Sequence, residues 1–229
     1  MLLNLNAVDK VLTPLKSSRP YNGRFLYVLG CGRSGNTLLR KMLVEQLNMY
    51  IPAETYVIPE ALMAFNRSKK LSWNEKVGLV LSFFEYHPEF ATISDRTLRP
   101  VYDLCVKLPN GRRSFGGIIY ELFQFIGKNS GFSFSLLGDK TPLNVLSIRL
   151  IYRHFPEANY LFITRHPYDV CYSYIRMGRY KSVEDAACRW RDSHENWFRF
   201  SSNKENKKLL TMRSSYRIQA LTWKKFRSG

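Results

Sequence analysis

The chain has 229 residues, a formal net charge of +17 at pH 7, 45% hydrophobic residues and 23% charged residues. This length and composition fit one globular α/β domain with a sizeable core and are too short for two ordinary domains. No apolar run reaches the ~18 residues of a membrane span, and the start of the chain lacks a signal-peptide pattern. We therefore expect a cytoplasmic protein without a membrane span.

The positive charge indicates an anionic partner, such as a nucleotide, a nucleic acid, a membrane surface or an acidic substrate. Part of it lies in the tail, because eight residues from Ser201 to Gly229 are basic and only Glu205 is acidic. The four cysteines form no CxxC pair and have no histidine cluster beside them. We therefore expect reduced thiols and no metal site, with Cys31 as a small packing residue.

The first part of the chain predicts a strand, a turn and a helix in succession. Residues 1–24 show little periodicity and are interpreted as a leader. Phe25–Leu29 is a short apolar run, typical of a buried strand, and Gly30–Gly35 predicts a glycine-rich turn after it. Residues 36–47 then carry apolar side chains at helical spacing.

The remaining pattern alternates between strands and helices. Strands are predicted at residues 132–137, 160–164 and 209–212. Helices are predicted at residues 59–65, 73–86, 115–127, 143–154, 167–174 and 182–199. This alternation implies a parallel sheet with right-handed crossovers, in which ligands bind beyond the carboxyl ends of the strands.

Gly30–Thr37 has the outline of a phosphate-binding loop, in which glycines let backbone N–H groups face an anion at a helix N-terminus. Asn36 occupies the position at which a Walker loop carries its lysine, and the cation of this loop is Arg33. Because ATP and GTP hydrolysis relies on that lysine and on Mg²⁺, the pattern argues against an NTPase. A glycine-rich turn without a ligand is the alternative interpretation.

A second motif follows the strand predicted at 160–164. Arg165 ends that strand, and Ser173 lies near the end of the second turn of the helix that begins at Pro167. A cation at a strand end and a hydroxyl on the next helix can hold one phosphate together, and arginine can do so bidentately. A lone arginine at a strand end is more often a surface residue. The phosphate-site interpretation of Arg165 is therefore supported mainly by the presence of the glycine-rich loop in the same chain.

Together the two motifs resemble those of sulfotransferases that use 3'-phosphoadenosine-5'-phosphosulfate (PAPS) and release 3',5'-adenosine bisphosphate (PAP). Residues 25–37 resemble their 5'-phosphosulfate loop, and residues 160–173 resemble their 3'-phosphate motif. The resemblance implies a P-loop-like three-layer α/β domain over residues 25–213, with a central parallel sheet flanked by helices. It also implies in-line sulfuryl transfer to an acceptor hydroxyl without a metal. The donor-binding residues that it implies are Gly32, Arg33, Ser34, Gly35, Asn36, Thr37, Arg165 and Ser173.

Pro52–Pro59 resembles the segment of tyrosylprotein sulfotransferases that carries the catalytic glutamate. This resemblance implies that Glu54 is the general base for the acceptor hydroxyl. Tyr56 replaces the basic residue of those enzymes, which argues against an acidic tyrosine peptide as acceptor. From residue type alone, an ordinary exposed glutamate is the alternative interpretation of Glu54.

Gly138–Pro142 resembles a family segment with a lysine near the leaving group. This implies that Lys140 neutralises the bridging oxygen as the S–O bond breaks, so that Arg33, Glu54 and Lys140 are the catalytic candidates. Two alternatives remain at this point. In the first, Asp139 is the Mg²⁺-binding carboxylate of a weak Walker B pattern. In the second, Thr141 caps a helix that begins at Pro142.

Other features remain open between a functional and a structural interpretation. Arg176, Arg179, Tyr180 and Lys181 either border the donor or form a solvated basic loop, whereas Trp190 and Trp197 are expected in the core. Residues 214–229 form a basic tail that does not match the family's usual continuation, and its apolar residues fit one short helix.

The expected activity is transfer of a sulfuryl group from PAPS to a hydroxyl of a carbohydrate or other small molecule, or of a tyrosine. The alternatives are a nucleotide-binding protein with impaired catalysis and a P-loop nucleotide kinase. The expected partners are the anionic nucleotide donor and the hydroxyl acceptor, with no nucleic acid and no membrane span.

Overall fold

The computed structural model describes residues 25–131, 133–201, 207–212 and 218–221. The predicted leader, residues 1–24, lies outside the described residues, as does most of the predicted tail. The described strands form one sheet in the order β2-β3-β1-β4-β5-β6. They are β1 (Phe25–Gly30), β2 (Met49–Tyr50), β3 (Leu136–Lys140), β4 (Asn159–Arg165), β5 (Lys207–Met212) and β6 (Ile218–Leu221).

Strands β1 to β5 pair in parallel, and β6 runs antiparallel to β5 at the edge. The described α-helices are α1 (Asn36–Leu47), α2 (Ile58–Arg67), α3 (Trp73–Glu85), α4 (Arg99–Val106), α5 (Phe115–Asn129), α6 (Ile148–His154), α7 (Pro167–Arg176) and α8 (Val183–Ser201). Among the described residues, none of these helices has the length and apolarity needed to cross a membrane.

Helices cover the central strand β1 on both faces, and every residue of β1 is buried. Phe25, Tyr27 and Leu29 enter one apolar cluster with residues of α2, α3, α5 and α8. Leu26 and Val28 point the other way, into a second cluster that contains residues of α1. A strand buried on both faces is characteristic of a parallel sheet between two helical layers. The predicted three-layer α/β fold is therefore confirmed.

Strand β3 differs from its prediction, because it begins at Leu136 and runs through Lys140. Gly138 and Asp139 therefore lie inside the strand and not in a turn after it. Gly138 sits opposite Leu26 in the sheet, and a Cβ at Gly138 would lie 2.8 Å from the Leu26 carbonyl oxygen. Gly138 thus permits close packing between the two strands. The sequence around Gly138 does not show whether the glycine has this role or forms a turn.

Three further differences concern short elements. The helix predicted over residues 143–154 is divided into a 3₁₀ segment, Pro142–Ser147, and α6. Helix α4 and the two-residue strand β2 were not predicted. The tail forms a strand at Ile218–Leu221, where one short helix was expected, because that segment pairs antiparallel with β5 and becomes the edge of the sheet.

Candidate functional site

The carboxyl ends of β1, β3 and β4 border one cleft of about 580 Å³. The chain leaves β1 toward β2 on one side of the sheet, and it leaves β4 toward β5 on the other. Loops therefore diverge between β1 and β4, which is where open α/β sheets bind ligands. The lining side chains relevant here are Arg33, Asn36, Thr37, Glu54, Tyr56, Arg165, Tyr174, Arg179 and Tyr180.

The loop after β1 has the conformation of an anion cradle. Arg33 and Gly35 both have positive φ angles, 67° and 96°. Gly35 is the N-cap residue of α1, and no side chain caps the first turn of this helix. The positive end of the α1 dipole therefore faces the cleft beside Arg33, which is exposed.

Asn36, at the Walker lysine position, acts within the loop itself. Its Nδ2 donates a 2.9 Å hydrogen bond to the Cys31 carbonyl oxygen, and the residue is 4% exposed. The Oγ of Ser34 is buried without a hydrogen-bond partner among the described residues. The loop is therefore held by an amide where an NTPase would present a cation.

The two predicted phosphate motifs meet in the structure. Arg33 Nε donates a 3.0 Å hydrogen bond to Ser173 Oγ, although the two residues are 140 positions apart. The contact arises because β4 lies next to β1, and α7 turns back from the end of β4. Arg33 and Ser173 are thus close enough to contact neighbouring groups of one ligand.

Arg165 lies at the end of β4 and lines the same cleft. Its Nε is 3.2 Å from Oδ2 of Asp169, which lies four residues later in the first turn of α7. The Arg165 and Asp169 side chains are 27% and 32% exposed. An ion pair with this exposure is weak enough for a ligand phosphate to displace.

The third strand end carries an ion pair. Lys140 Nζ is 2.7 Å from Glu54 Oε1, with the two side chains 6% and 26% exposed. Glu54 is therefore not the ordinary exposed glutamate of the alternative interpretation. Because a buried ammonium group is costly without a partner, Glu54 accounts for the burial of Lys140.

Asp139, next to Lys140, stabilises the segment that carries Glu54. Its carboxylate accepts hydrogen bonds from Thr55 Oγ1 at 2.8 Å, Thr141 Oγ1 at 3.1 Å and Asn144 Nδ2 at 2.8 Å. The Thr55 backbone N–H also donates to Thr141 Oγ1, at 3.0 Å. Burial raises the pKa of Asp139 to about 6, against the effect of these hydrogen bonds.

This arrangement bears on both alternatives for the β3 segment. Asp139 is fully buried and its oxygens face protein donors, so it does not present a carboxylate to a Mg²⁺ ion in the cleft. Within the described ranges, no group of three or more His, Cys, Asp or Glu side chains is placed to hold a metal ion. Thr141 occupies an N-cap position, but its side chain makes no capping hydrogen bond.

Tyr56 is a lining residue that the sequence marked only as a departure from the family pattern. Its φ angle is 56°, which is unusual for a bulky side chain. Its ring stacks on His87 with 5.8 Å between centroids. Burial and a hydrogen bond to Glu54 raise the pKa of Tyr56 to about 12. Its hydroxyl therefore stays protonated beside Glu54 at neutral pH.

The basic segment after α7 and the two tryptophans of α8 can now be assigned. Arg179 and Tyr180 line the cleft, whereas Arg176 and Lys181 are exposed beside it. Trp197 is 1% exposed and stacks on Phe162, as expected of a core residue. Trp190, also expected in the core, is only partly buried and packs against a smaller cluster that contains Tyr174.

Two further side chains support the loop after β1. Cys31 is a free, buried thiol that packs against Tyr174, so its predicted packing role is confirmed. Tyr174 also lines the cleft under Gly32, where a Cβ would lie 2.4 Å from the phenol oxygen. The sequence reasoning missed Tyr174, since only the fold brings α7 under the loop.

The chain is similar to known proteins in both sequence and fold. A family model described as "Sulfotransferase family" matches residues 26–213. The sulfotransferase domain of the Synechococcus PCC 7002 olefin synthase is 22% identical with a TM-score of 0.54, over 86% of this chain and 68% of that chain.

Two other solved structures are also similar. The sulfotransferase domain from the curacin biosynthetic pathway is 22% identical with a TM-score of 0.48, over 85% of this chain and 68% of that chain. A sulfotransferase from Alicyclobacillus acidocaldarius is 12% identical with a TM-score of 0.40, over 85% and 74%. A search among curated proteins finds no match. The olefin synthase domain supports the fold assignment.

Proposed function

Because the chain belongs to the sulfotransferase family, we propose that it transfers the sulfuryl group of PAPS to a hydroxyl of an acceptor. The observation that carries this proposal is that three strand ends meet at one cleft. The loop after β1, Arg165 after β4 and Glu54, paired with Lys140 at the end of β3, all reach it. A volume of about 580 Å³ is within the range of small-molecule sites.

The donor would bind across the junction of β1 and β4. Arg33 and the backbone N–H groups at the start of α1 would hold the 5'-phosphosulfate, since the helix end has no capping side chain. Arg165 and Ser173 would hold the 3'-phosphate. The 3.0 Å contact between Arg33 and Ser173 supports this assignment, because it places both phosphate sites within reach of each other.

The chemistry would take place beside the Glu54–Lys140 pair. Glu54 would accept the proton of the acceptor hydroxyl, whose oxygen attacks sulfur while the bond from sulfur to the bridging phosphate oxygen breaks. Lys140 would neutralise the charge that develops on that leaving oxygen. Since Lys140 Nζ already lies 2.7 Å from Glu54 Oε1, one cation can serve both carboxylate and leaving group.

The acceptor would be a carbohydrate or another small hydroxyl compound. Tyr56 stands beside Glu54, where a basic residue would be expected for an acidic tyrosine peptide. Leu143 and Met177 also line the cleft and are 46% and 53% exposed, which offers an apolar surface to the body of an acceptor.

Calorimetry with PAP, 5'-AMP and ATP–Mg²⁺ tests the nucleotide assignment. We expect PAP to bind at least ~10-fold more tightly than 5'-AMP, since only PAP engages the Arg165–Ser173 site. Equal affinities for PAP and 5'-AMP would remove the 3'-phosphate assignment. Phosphate transfer from ATP–Mg²⁺ would instead support the kinase alternative.

Labelled PAPS with a panel of glycans, alcohols and tyrosine peptides tests the reaction itself. We expect a labelled product with at least one small hydroxyl acceptor. Donor binding without transfer to any member of the panel would support the alternative of a nucleotide-binding protein with impaired catalysis.

A further inference from the structure

The end of β4 is fixed from outside the cleft by two side chains of α8. Trp190 Nε1 donates a 3.0 Å hydrogen bond to the carbonyl oxygen of Arg165. His194 Nε2 lies 2.6 Å from the hydroxyl oxygen of Thr164. Thr164 and Arg165, two consecutive residues at the strand end, are therefore each hydrogen-bonded to a ring of α8. Both rings lie on the same face of α8, because Trp190 and His194 are four positions apart.

The proton positions of this arrangement follow from its partners. His194 Nδ1 is 2.7 Å from the Trp190 carbonyl oxygen, which can only accept a hydrogen bond, so Nδ1 carries the proton. Burial lowers the pKa of His194, so the ring is neutral and Nε2 accepts from Thr164. The Trp190 and His194 rings also stack, with 3.7 Å between centroids, which orients both of them together.

We propose that Trp190 and His194, here called the α8 clamp, are positioning residues that orient Arg165 toward the 3'-phosphate of the donor. This inference rests on the proposed function, which assigns Arg165 to that phosphate. The clamp fixes the peptide plane that follows Arg165 and the side chain that precedes it. A bidentate arginine contact needs its guanidinium plane held to within about 0.5 Å and 10–20°, and the carbonyl bond from Trp190 restrains the backbone from which that side chain projects.

The α8 clamp is separate from the groups that would touch the donor. His194 is 6% exposed, and neither clamp residue lines the cleft. The Arg165 side chain lines the cleft and contacts Asp169, whereas its carbonyl oxygen accepts the hydrogen bond from Trp190 on α8. The hydrogen bond of Trp190 reaches the donor through Arg165, whereas its ring also packs against the cluster of Cys31 and Tyr174 that supports the loop after β1. Loss of the hydrogen bond with the ring kept in place should therefore alter recognition of the 3'-phosphate alone.

Trp190→Phe in the full chain tests this inference, because phenylalanine keeps a ring on His194 and removes the N–H donor. We expect the dissociation constant for PAP to rise by about 3- to 10-fold, the range for one neutral hydrogen bond. The dissociation constant for 5'-AMP should stay within about twofold, since 5'-AMP does not engage Arg165. An equal change for both nucleotides, or no change for either, would overturn the inference.

Trp197→Phe is a matched control on the same helix. Trp197 stacks on Phe162 with 5.0 Å between centroids, and its indole N–H has no hydrogen-bond partner among the described residues. The same substitution there loses core packing but no bond to β4, so the ratio of PAP to 5'-AMP affinity should not change. A changed ratio in Trp197→Phe would show that general destabilisation causes the effect and would also overturn the inference.

Two further variants keep the test decisive. If Trp190→Phe does not fold, Thr164→Val removes the other bond between α8 and the strand end without changing side-chain shape, and it should lower the same ratio. Arg165→Ala should abolish most of the preference for PAP. If Arg165→Ala leaves the ratio unchanged, the 3'-phosphate assignment of the proposed function is wrong, whereas a response to Arg165→Ala without one to Trp190→Phe or Thr164→Val refutes the clamp alone.

Discussion

The two sides of the cleft hold their charged groups in different ways. On the β3 side, Lys140 and Glu54 are paired at 2.7 Å with 6% and 26% of their side chains exposed, and Asp139 behind them is fully buried. On the β4 side, Arg165 and Asp169 are 27% and 32% exposed and lie 3.2 Å apart. Lys140 and Asp139 on the β3 side are thus enclosed by protein, whereas both partners of the β4 pair are partly exposed to solvent.

This difference corresponds to the two tasks that we propose for the cleft. Groups that act on a transition state work best when they are preorganised and shielded from water. Cations that bind and release a nucleotide must exchange a protein partner for a phosphate, which requires weak and accessible ion pairs. Substitutions on the β3 side should therefore affect turnover, whereas substitutions on the β4 side should affect donor affinity.

Glu54→Gln should have the largest effect and should confine it to turnover. Glutamine keeps the size and polarity of Glu54 but cannot accept a proton at neutral pH. We expect kcat to fall by ~10²–10⁴-fold while the dissociation constant for PAP changes by less than about threefold. Labelled-donor assays and calorimetry would measure the two quantities.

Glu60→Gln, at an exposed position on α2, is the control and should leave both quantities unchanged. Parental turnover in Glu54→Gln would show that another group is the base. A large loss of PAP affinity in Glu54→Gln would show that the two sides of the cleft do not have separate tasks.

The burial of Asp139 should appear in the pH dependence of stability. Its pKa is raised from 3.8 to about 6 in the folded protein, so the folded state binds the proton more tightly than the unfolded state. This contribution to the free energy of unfolding is present below pH 4 and is lost as the pH rises through about 6. Its size is on the order of 2–3 kcal/mol, because a tenfold difference in proton affinity between the two states corresponds to ~1.4 kcal/mol.

Asp139→Asn isolates that contribution, since asparagine does not titrate. As the pH rises from 4 to 7, the parent should lose stability relative to Asp139→Asn. The unfolding free energy of the parent minus that of the variant should therefore decrease. Denaturant unfolding at several pH values gives this difference. A constant difference across the range would mean that Asp139 titrates alike in the folded and unfolded states.

Arg165→Ala should weaken PAP binding by ~1.5–3 kcal/mol, the range for charge-assisted hydrogen bonds, with little effect on turnover at saturating donor. Arg33→Ala should weaken PAP binding by a similar amount through the 5'-phosphate, and, because Arg33 is a catalytic candidate, it should also lower turnover. Arg165→Lys should restore only part of the affinity, because an ammonium group cannot reproduce a bidentate contact. Calorimetry with PAP measures each of these changes in affinity.

The matched control for charge is Arg176→Ala, because Arg176 is exposed at the end of α7. It should cost much less affinity than Arg165→Ala. Similar losses in both variants would indicate that net positive charge, and not a specific contact, attracts the nucleotide.

The predictable part of this cleft is local in sequence. The strand, turn and helix over residues 25–47 were predicted because the apolar run, the glycines and the helical spacing follow one another directly. The pairing of Arg165 with Ser173 was inferred from a spacing of eight residues and stays a prediction, since in the structure Arg165 contacts Asp169 and Ser173 contacts Arg33. The hydrogen bond from Arg33 to Ser173 was not predicted, because it depends on β4 lying next to β1 in the sheet.

The parts that sequence reasoning missed depend on contacts between distant segments. Gly138 was interpreted as a turn residue because only the sheet shows the carbonyl of Leu26 against it. The hydrogen bond that Thr55 donates to Asp139, and the bond from Trp190 to Arg165, join segments whose register is set by packing. No periodicity or motif in a single sequence contains that information.

The smallest expected effect has the opposite sign and tests the open side of the cleft most directly. Asp169 competes with the donor for Arg165, and it places a negative charge beside the proposed 3'-phosphate site. Asp169→Asn removes both effects, so PAP should bind about 2- to 5-fold more tightly, in line with the ~0.2–1 kcal/mol that a partly exposed ion pair contributes. The gain should shrink as salt is added, because screening weakens both the competing pair and the repulsion, and affinity for 5'-AMP should change less.

Asp103→Asn is the control for this substitution. It breaks a comparable pair with Arg99, at the same spacing on α4 and with side chains 51% and 75% exposed, and should leave PAP affinity unchanged. Weaker PAP binding in Asp169→Asn would mean that Asp169 orients Arg165 for the phosphate, so that the β4 side would be preorganised like the β3 side.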